Sequence, residues 1–186
     1  HSYQIHPMGL SYIDEQGSVN LYNSSRPTEH MEQAYGMERI VKEYLSSDEG
    51  QKFLQYAQSK GKEMIKLVGT GSADLGEDVV AAVMHNGKEG IMVSNYDGKD
   101  FHSRVHDFAR QYGINSQTAI EYVLTHEFGH IAGYTTESSN EGFIKDYFIQ
   151  RAAETSGGER QKYMRLAGIA EYREQAAKTA ESKKAN

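Results

Sequence analysis

The sequence predicts an α+β fold in which a small twisted β-sheet packs against helices. Strand-forming runs separated by turn residues fill much of the stretch 63–96, and a hairpin pattern at 10–22 precedes them. Apolar residues recur at helical spacing through most of the remaining chain. We expect a single domain over residues 1–186, with a sheet-containing part at 1–115 and a helical part at 116–186.

The strands are predicted by short apolar runs that end at turn residues. Residues 10–22 hold two runs of strand formers with a turn between them. Residues 63–68 are mostly apolar and lead into Gly-Thr-Gly-Ser, which indicates a turn. Residues 79–84 are continuously apolar and 91–96 alternate, with an Asn-Gly pair between them. We therefore expect a second hairpin made of one buried strand and one edge strand.

The helices are predicted from apolar stripes and from residues typical of helix ends. Ser47 can cap a helix that ends near Gly61, and Asn115 or Ser116 can cap one that ends at Gly133. The chain beyond about residue 177 is expected to fray. The expected helices lie at 28–45, 47–59, 101–112, 116–132, 137–155 and 159–177.

Composition limits the ligands and partners of the protein. The formal net charge of −6 argues against a nucleic-acid-binding surface. The chain has no cysteine, so any metal site must use histidines and carboxylates. No apolar run is long enough to predict a membrane span.

The helix at 116–132 contains two histidines four residues apart in the sequence THEFGHIAG. On an α-helix this spacing leaves the two imidazoles roughly 40° apart around the axis and ~6 Å apart along it, so His126 and His130 can bind one metal ion. Glu127 lies ~100° round from His126, where it can hold a water at the metal without binding the metal itself. The helix is apolar nearly all round, and a buried carboxylate within it is costly unless it has a role. The pattern predicts a zinc site with Glu127 as general base.

A third protein ligand is expected, because catalytic zinc sites usually have three. Glu141 begins an apolar stripe on the following helix and should face the core. Residues 138–141 also match a capping box, in which Glu141 would reach back to the backbone of Ser138. Glu137, Asp146 and Glu154 are the other candidates. His102 and His106 repeat the ligand spacing on another helix, but nothing in the sequence near them supplies a third ligand.

The sequence HEFGH, followed by a helix that opens with NEGF, resembles the gluzincin branch of the zincin metallopeptidases over residues 125–148. The resemblance implies a zincin-like fold in which the HExxH helix lines a cleft. It also implies that Glu141 completes a zinc site with His126 and His130, with Glu127 as base. HEFGHIAG is similar as well to the start of the metzincin motif HExxHxxGxxH. Thr136 stands where that motif has its third histidine, and Glu137 follows it.

The expected function is zinc-dependent hydrolysis of peptide bonds in a peptide or protein substrate. Zinc would polarise the carbonyl and lower the pKa of its water toward ~7, while Glu127 takes the proton and passes it to the leaving amine. Tyr134 and Tyr147 are the nearest hydrogen-bond donors in sequence for the tetrahedral intermediate. The alternatives are a non-catalytic module that keeps the zincin scaffold and binds peptides by an edge strand, and a protease toxin or effector of narrow specificity.

Overall fold

Helix is the dominant conformation of the part of this protein that the structure describes. The computed structural model describes residues 10–14, 19–22, 39–62, 67–73, 79–86, 89–95 and 101–185, and most of these residues are helical. The helices are α1, described over 39–46, α2 (Asp48–Ser59), α3 (Phe101–Tyr112), α4 (Ser116–Ile131), α5 (Glu137–Glu154) and α6 (Gly157–Ala185).

The chain divides into two units, His1–Glu127 and Phe128–Asn186. The boundary lies inside α4, which runs without a break from Ser116 to Ile131. The first unit contains the strands, α1 to α3 and most of α4. The second contains the end of α4 with α5 and α6.

Five short strands are described through their backbone pairing. They are paired in the order β2-β1-β3-β5-β4, and only the β3–β5 pair among them is parallel. The Gly-Thr-Gly-Ser stretch, expected to form a turn, lies inside β3, where β5 pairs with all four residues and β1 pairs with the first two. The expectation of an edge strand at 91–96 was also wrong, because β5 lies between β3 and β4. The strands are β1 (Leu10–Asp14), β2 (Val19–Tyr22), β3 (Leu67–Ala73), β4 (Ala81–Asn86) and β5 (Glu89–Asn95).

The fold class predicted from the sequence, a zincin-like α+β fold with a twisted sheet packed against helices, was wrong. The described part of the chain has a mostly helical fold. Its strands are four to seven residues long, whereas α5 and α6 span 18 and 29 residues. The most extensive packing between described elements joins α5 to α6, and the next joins neighbouring strands. Short apolar runs in a sequence show that strands can form, but they do not make a sheet the main layer of a fold.

The individual helices follow the sequence closely, with one exception at the carboxyl end. The expected helices at 47–59, 101–112, 116–132 and 137–155 are confirmed within two residues. Part of the expected helix at 28–45, residues 28–38, lies outside the described residues, as do residues 63–66 of the expected strand. The tail expected to fray after residue 177 instead continues α6 to Ala185. Its alanines, lysines and glutamate are strong helix formers, which explains the extension.

The α1–α2 corner and α4 are joined by close contacts within the first unit. Ser47 caps α2, and its side chain accepts a hydrogen bond from the Gly50 backbone N–H at 3.0 Å. Gly50 is buried against the carbonyl oxygen of Tyr44. The Tyr44 hydroxyl lies 2.9 Å from Thr125 Oγ1 in a buried hydrogen bond. This bond anchors α4 at the residue that precedes His126.

The second unit is held together by an aromatic core and by ion pairs between α5 and α6. The rings of Tyr147, Phe148 and Tyr163 are fully buried and adjacent to one another. Lys145 Nζ on α5 lies 2.9 Å from Glu171 and 2.7 Å from Glu174 on α6. The hydrogen bonds that Lys145 donates to Glu174 and then to Glu171 raise its pKa, and Lys145 in turn lowers the pKa of Glu171.

Gly50→Ala tests the packing at the α1–α2 corner. The added Cβ would overlap the Tyr44 carbonyl oxygen, so we expect the free energy of unfolding to fall by about 1–3 kcal/mol, measured by chemical denaturation. Gly168→Ala is the matched control, because no atom lies within 4 Å of its Cβ position on the exposed side of α6. Helix propensity predicts a gain of up to about 1 kcal/mol there. An equal increase in the free energy of unfolding in both variants would contradict the tight packing at Gly50.

Lys145→Met tests the ion pairs between α5 and α6. The raised pKa of Lys145 means that its stabilising effect is complete below the ordinary lysine pKa of ~10.4 and is lost at higher pH. The lowered pKa of Glu171 means that its share is complete above the ordinary glutamate pKa of ~4.3 and is lost as the pH falls through the lower folded value. We therefore expect the variant to lower Tm by a few degrees between roughly pH 5 and 9.

A comparison of the Tm of wild type and of Lys145→Met in acid can contradict this prediction. The difference in Tm between wild type and Lys145→Met should shrink toward about pH 3, because Glu171 is progressively protonated there. Lys178→Met is the control, since the Lys178 side chain is 56% exposed and its ammonium lies 3.5 Å from Glu174. A difference in Tm that persists unchanged in acid would show that Lys145 acts through packing alone.

Candidate metal centre

The residues at the end of α4 and the start of α5 bring three potential metal ligands together. His126, His130 and Glu137 each offer an atom that lies within 4.8 Å of the other two. His126 is buried, His130 is intermediate and Glu137 is exposed, so the group opens toward solvent on the Glu137 side. Among the residues that the structure describes, this is the one group of three or more side chains that could hold a metal ion.

The ring of His130 is oriented by the turn that ends α4. Gly133 has a φ of 113°, which confirms it as the glycine that stops the helix. The turn brings the Tyr134 carbonyl oxygen to 2.7 Å from His130 Nδ1. Since a carbonyl only accepts, Nδ1 carries the proton and donates it. Nε2 therefore faces the group, which is the arrangement that metal-binding histidines commonly have.

Glu137 reaches His130 because it occupies the first turn of α5. Thr136 is the N-cap residue of this helix, and its side chain accepts a hydrogen bond from the Ser139 backbone N–H at 3.2 Å. One carboxylate oxygen of Glu137 lies 2.9 Å from His130 Nε2. Ligand atoms around a tetrahedral zinc ion lie about 3.3 Å apart, given bonds of ~2.0–2.1 Å. The two imidazoles and the carboxylate are thus close enough together to hold a metal ion.

Glu141, the third ligand favoured by the sequence, is placed elsewhere by the structure. It is 1% exposed, and one of its carboxylate oxygens accepts a hydrogen bond from Arg173 Nε on α6 at 2.9 Å. The capping box at 138–141 is absent, because Thr136 caps α5 two residues earlier. The group with the two histidines contains Glu137, which the sequence analysis ranked second, and Glu141 would have to leave Arg173 to join it.

Of the other predicted site residues, Glu127 lies on α4, and the two tyrosines pack against aromatic rings. Glu127 directly follows His126 and is 5% exposed, and Thr125, which precedes His126, is fully buried. The ring of Tyr134 stacks on Phe143 at 4.1 Å between ring centres, which holds the turn that supplies the carbonyl to His130. Tyr147 is 1% exposed within the aromatic core of α5 and α6, where it has a packing role.

His102 and His106, the alternative pair, are both exposed on α3. The described part of the chain places no third ligand with them. The structure therefore adds no support for a second metal site there.

The comparisons with known proteins do not assign a family. No protein-family model, curated protein or solved structure matches this chain. The resemblance to the zincins thus rests on the sequence around His126 and on the group of ligands that the structure brings together. In the described part of the chain, every helix is either too short or too polar to cross a membrane.

Two substitutions separate the candidate third ligands. We expect Glu137→Ala to weaken zinc binding by at least ~10-fold, measured by competition with a chelator, because a ligand is lost. Glu141→Ala should leave zinc affinity nearly unchanged. It should lower the free energy of unfolding by about 1–3 kcal/mol, because Arg173 loses its buried partner but is itself partly exposed.

The reverse pattern would contradict this assignment. If Glu141→Ala strips the metal and Glu137→Ala retains it, Glu141 is the ligand that the gluzincin resemblance implies. Glu137→Gln is the matched control for side-chain size, since its amide keeps one oxygen but loses the negative charge.

Proposed function

We propose that this protein is a zinc-dependent hydrolase of peptide bonds, with His126, His130 and Glu137 as metal ligands and Glu127 as general base. The observation that carries the proposal is the convergence of the two histidines and Glu137 beside a buried glutamate on the same helix. Zinc is the cofactor favoured by this ligand set, because two imidazoles and one carboxylate occur in catalytic zinc sites that keep a position for water.

The exposure of the three ligands supports a catalytic site over a purely structural one. His126 is buried, whereas the Glu137 side chain is 55% exposed. A catalytic metal must be reached by water and substrate, while structural zinc sites are usually closed by four protein ligands. The described residues offer three potential ligands here, and a four-coordinate zinc ion held by these three would keep one position for water.

The proposed roles of the protein groups follow from their positions. When bound, zinc supplies Lewis acidity, which makes water a stronger acid and a carbonyl a better electrophile. Glu127 lies beside His126, and its carboxylate accepts the proton of the attacking water and passes it to the leaving amine. The Tyr134 carbonyl keeps His130 in the tautomer that turns Nε2 toward the metal.

A non-catalytic alternative is favoured by one contact. His130 Nε2 and one Glu137 carboxylate oxygen lie 2.9 Å apart, within hydrogen-bond distance. Such a pair can close the α4–α5 turn as a structural interaction, and the protein would then serve as a binding module. That alternative predicts that zinc neither binds tightly nor raises Tm, since a ligand that binds only the folded state must stabilise it.

Glu127→Gln tests the proposed reaction. We expect the variant to bind zinc as tightly as wild type and to lose at least ~100-fold in the rate of peptide cleavage, because a general base is removed but no ligand is. The measurement is cleavage of a mixed peptide library by zinc-loaded protein, followed by mass spectrometry. Glu121→Gln is the matched control, because it removes another buried carboxylate from α4.

Three outcomes of this experiment are informative. Cleavage by wild type and Glu121→Gln but not by Glu127→Gln supports the proposal. Cleavage at equal rates by all three proteins would show that Glu127 is not the base. Absence of cleavage by zinc-loaded wild type across the library would favour the binding module.

A further inference from the structure

Helix α5 packs tightly against α4 at Gly129. A Cβ atom at this position would overlap the Asn140 side-chain oxygen and would lie 3.0 Å from Asn140 Cγ and 3.4 Å from Ile144 Cγ2. Asn140 and Ile144 are both fully buried. Side chains of α5 therefore occupy the space that any residue larger than glycine would need at position 129.

This contact lies next to both members of the His130–Glu137 hydrogen bond. Gly129 immediately precedes His130 on α4, and Asn140 follows Glu137 by three residues, about one turn, on α5. Because a helix is stiff over one turn, a displacement of Asn140 away from α4 carries Glu137 with it. The distance between the two helices at Gly129 thus sets the distance from Glu137 to His130.

Metal sites are sensitive to displacements of this kind. The lengths of bonds from zinc to its ligands vary by only about 0.2 Å. The side chains of a functional site must be held within roughly 0.5 Å of their working positions. The overlap between a Cβ at position 129 and Asn140 Oδ1 is larger than this tolerance, and because Asn140 is fully buried its side chain has little room to move unless α5 moves as well. Alanine has a higher helix propensity than glycine. A loss of metal affinity in a variant with alanine at position 129 would therefore come from the contact and not from helix propensity.

We propose that Gly129 and Asn140 are positioning residues for the metal site. Their contact fixes Glu137 at the distance from His130 that zinc requires, and it thereby sets the zinc affinity of the protein. This inference rests on the proposed zinc site. It adds the claim that a helix-packing contact, which includes no ligand, controls that affinity.

The test is the zinc affinity of Gly129→Ala, measured by competition with a chromophoric chelator well below the Tm of the metal-free protein. We expect binding to weaken by ~10-fold or more, as it does when residues that support metal ligands are changed. Gly142→Ala is the matched control on α5. Its Cβ would lie 2.6 Å from Glu174 Oε2, so it disturbs the packing on α6 and should lower Tm with little change in zinc affinity.

A second substitution tests the mechanism directly. Asn140→Ala in the Gly129→Ala background removes the atom that the new Cβ overlaps, and zinc affinity should return to within about threefold of wild type. If Gly129→Ala does not fold, Asn140→Ala alone replaces it in the comparison. That variant leaves a gap and should weaken zinc binding, and alanine at 129 should fill the gap and recover affinity.

The failures of this inference and of the zinc site are distinguishable. Wild-type protein that binds no zinc overturns the proposed function before any variant is compared. A wild type that binds zinc, together with a folded Gly129→Ala of equal affinity, overturns the positioning role alone. A double variant that binds as weakly as the weaker single variant also overturns it.

Discussion

The chain reversal at Gly133 is the constraint on which the candidate centre depends. It follows the end of α4 at Ile131, brings the Tyr134 carbonyl to His130, and leads into α5 at Glu137. A longer connection would let the carboxylate sample a larger volume, at an entropic cost to any metal site that needs it in one place. The short connection thus helps to keep the potential ligands close together before a metal binds.

Packing on the far side of α5 determines which glutamate is available. Glu141 is buried and bonded to Arg173, and Lys145 one turn later bridges Glu171 and Glu174. These bonds hold the middle of α5 against α6, whereas Glu137 in the first turn is left exposed beside His130. A buried carboxylate that is bonded to an arginine is costly to remove, because the cation would then lose its partner. Burial and charge pairing therefore favour Glu137 as the candidate third ligand and Glu141 as part of the core.

Local features of this structure could be predicted from the sequence, and long-range ones could not. Ser47 and Gly133 end or begin helices through their own side chain or backbone conformation, so a few neighbouring residues decide the outcome. The two histidines share a helix face for the same reason. The choice between Glu137 and Glu141 depended on Arg173, which lies 32 residues from Glu141. The fit of Asn140 against Gly129 likewise requires the crossing of two helices, and no sequence pattern predicts it.

The prediction of the fold class failed for a related reason. The apolar runs in 63–96 do form strands where the structure describes them, but the balance between sheet and helix depends on the whole chain. The long α6 increases the share of helix, because residues expected to fray continue the helix to Ala185. A motif of about ten residues can resemble a known family while the surrounding architecture does not follow it.

A crystal structure of the zinc-soaked protein, with anomalous data collected on both sides of the zinc absorption edge, tests the central claim most directly. The account predicts one anomalous peak per chain, bonded at about 2.0–2.2 Å to His126, His130 and Glu137, with Glu141 still bonded to Arg173. A peak bonded to Glu141 in place of Glu137 would contradict the assignment of the ligands. Well-ordered histidines with no peak would contradict the metal site itself.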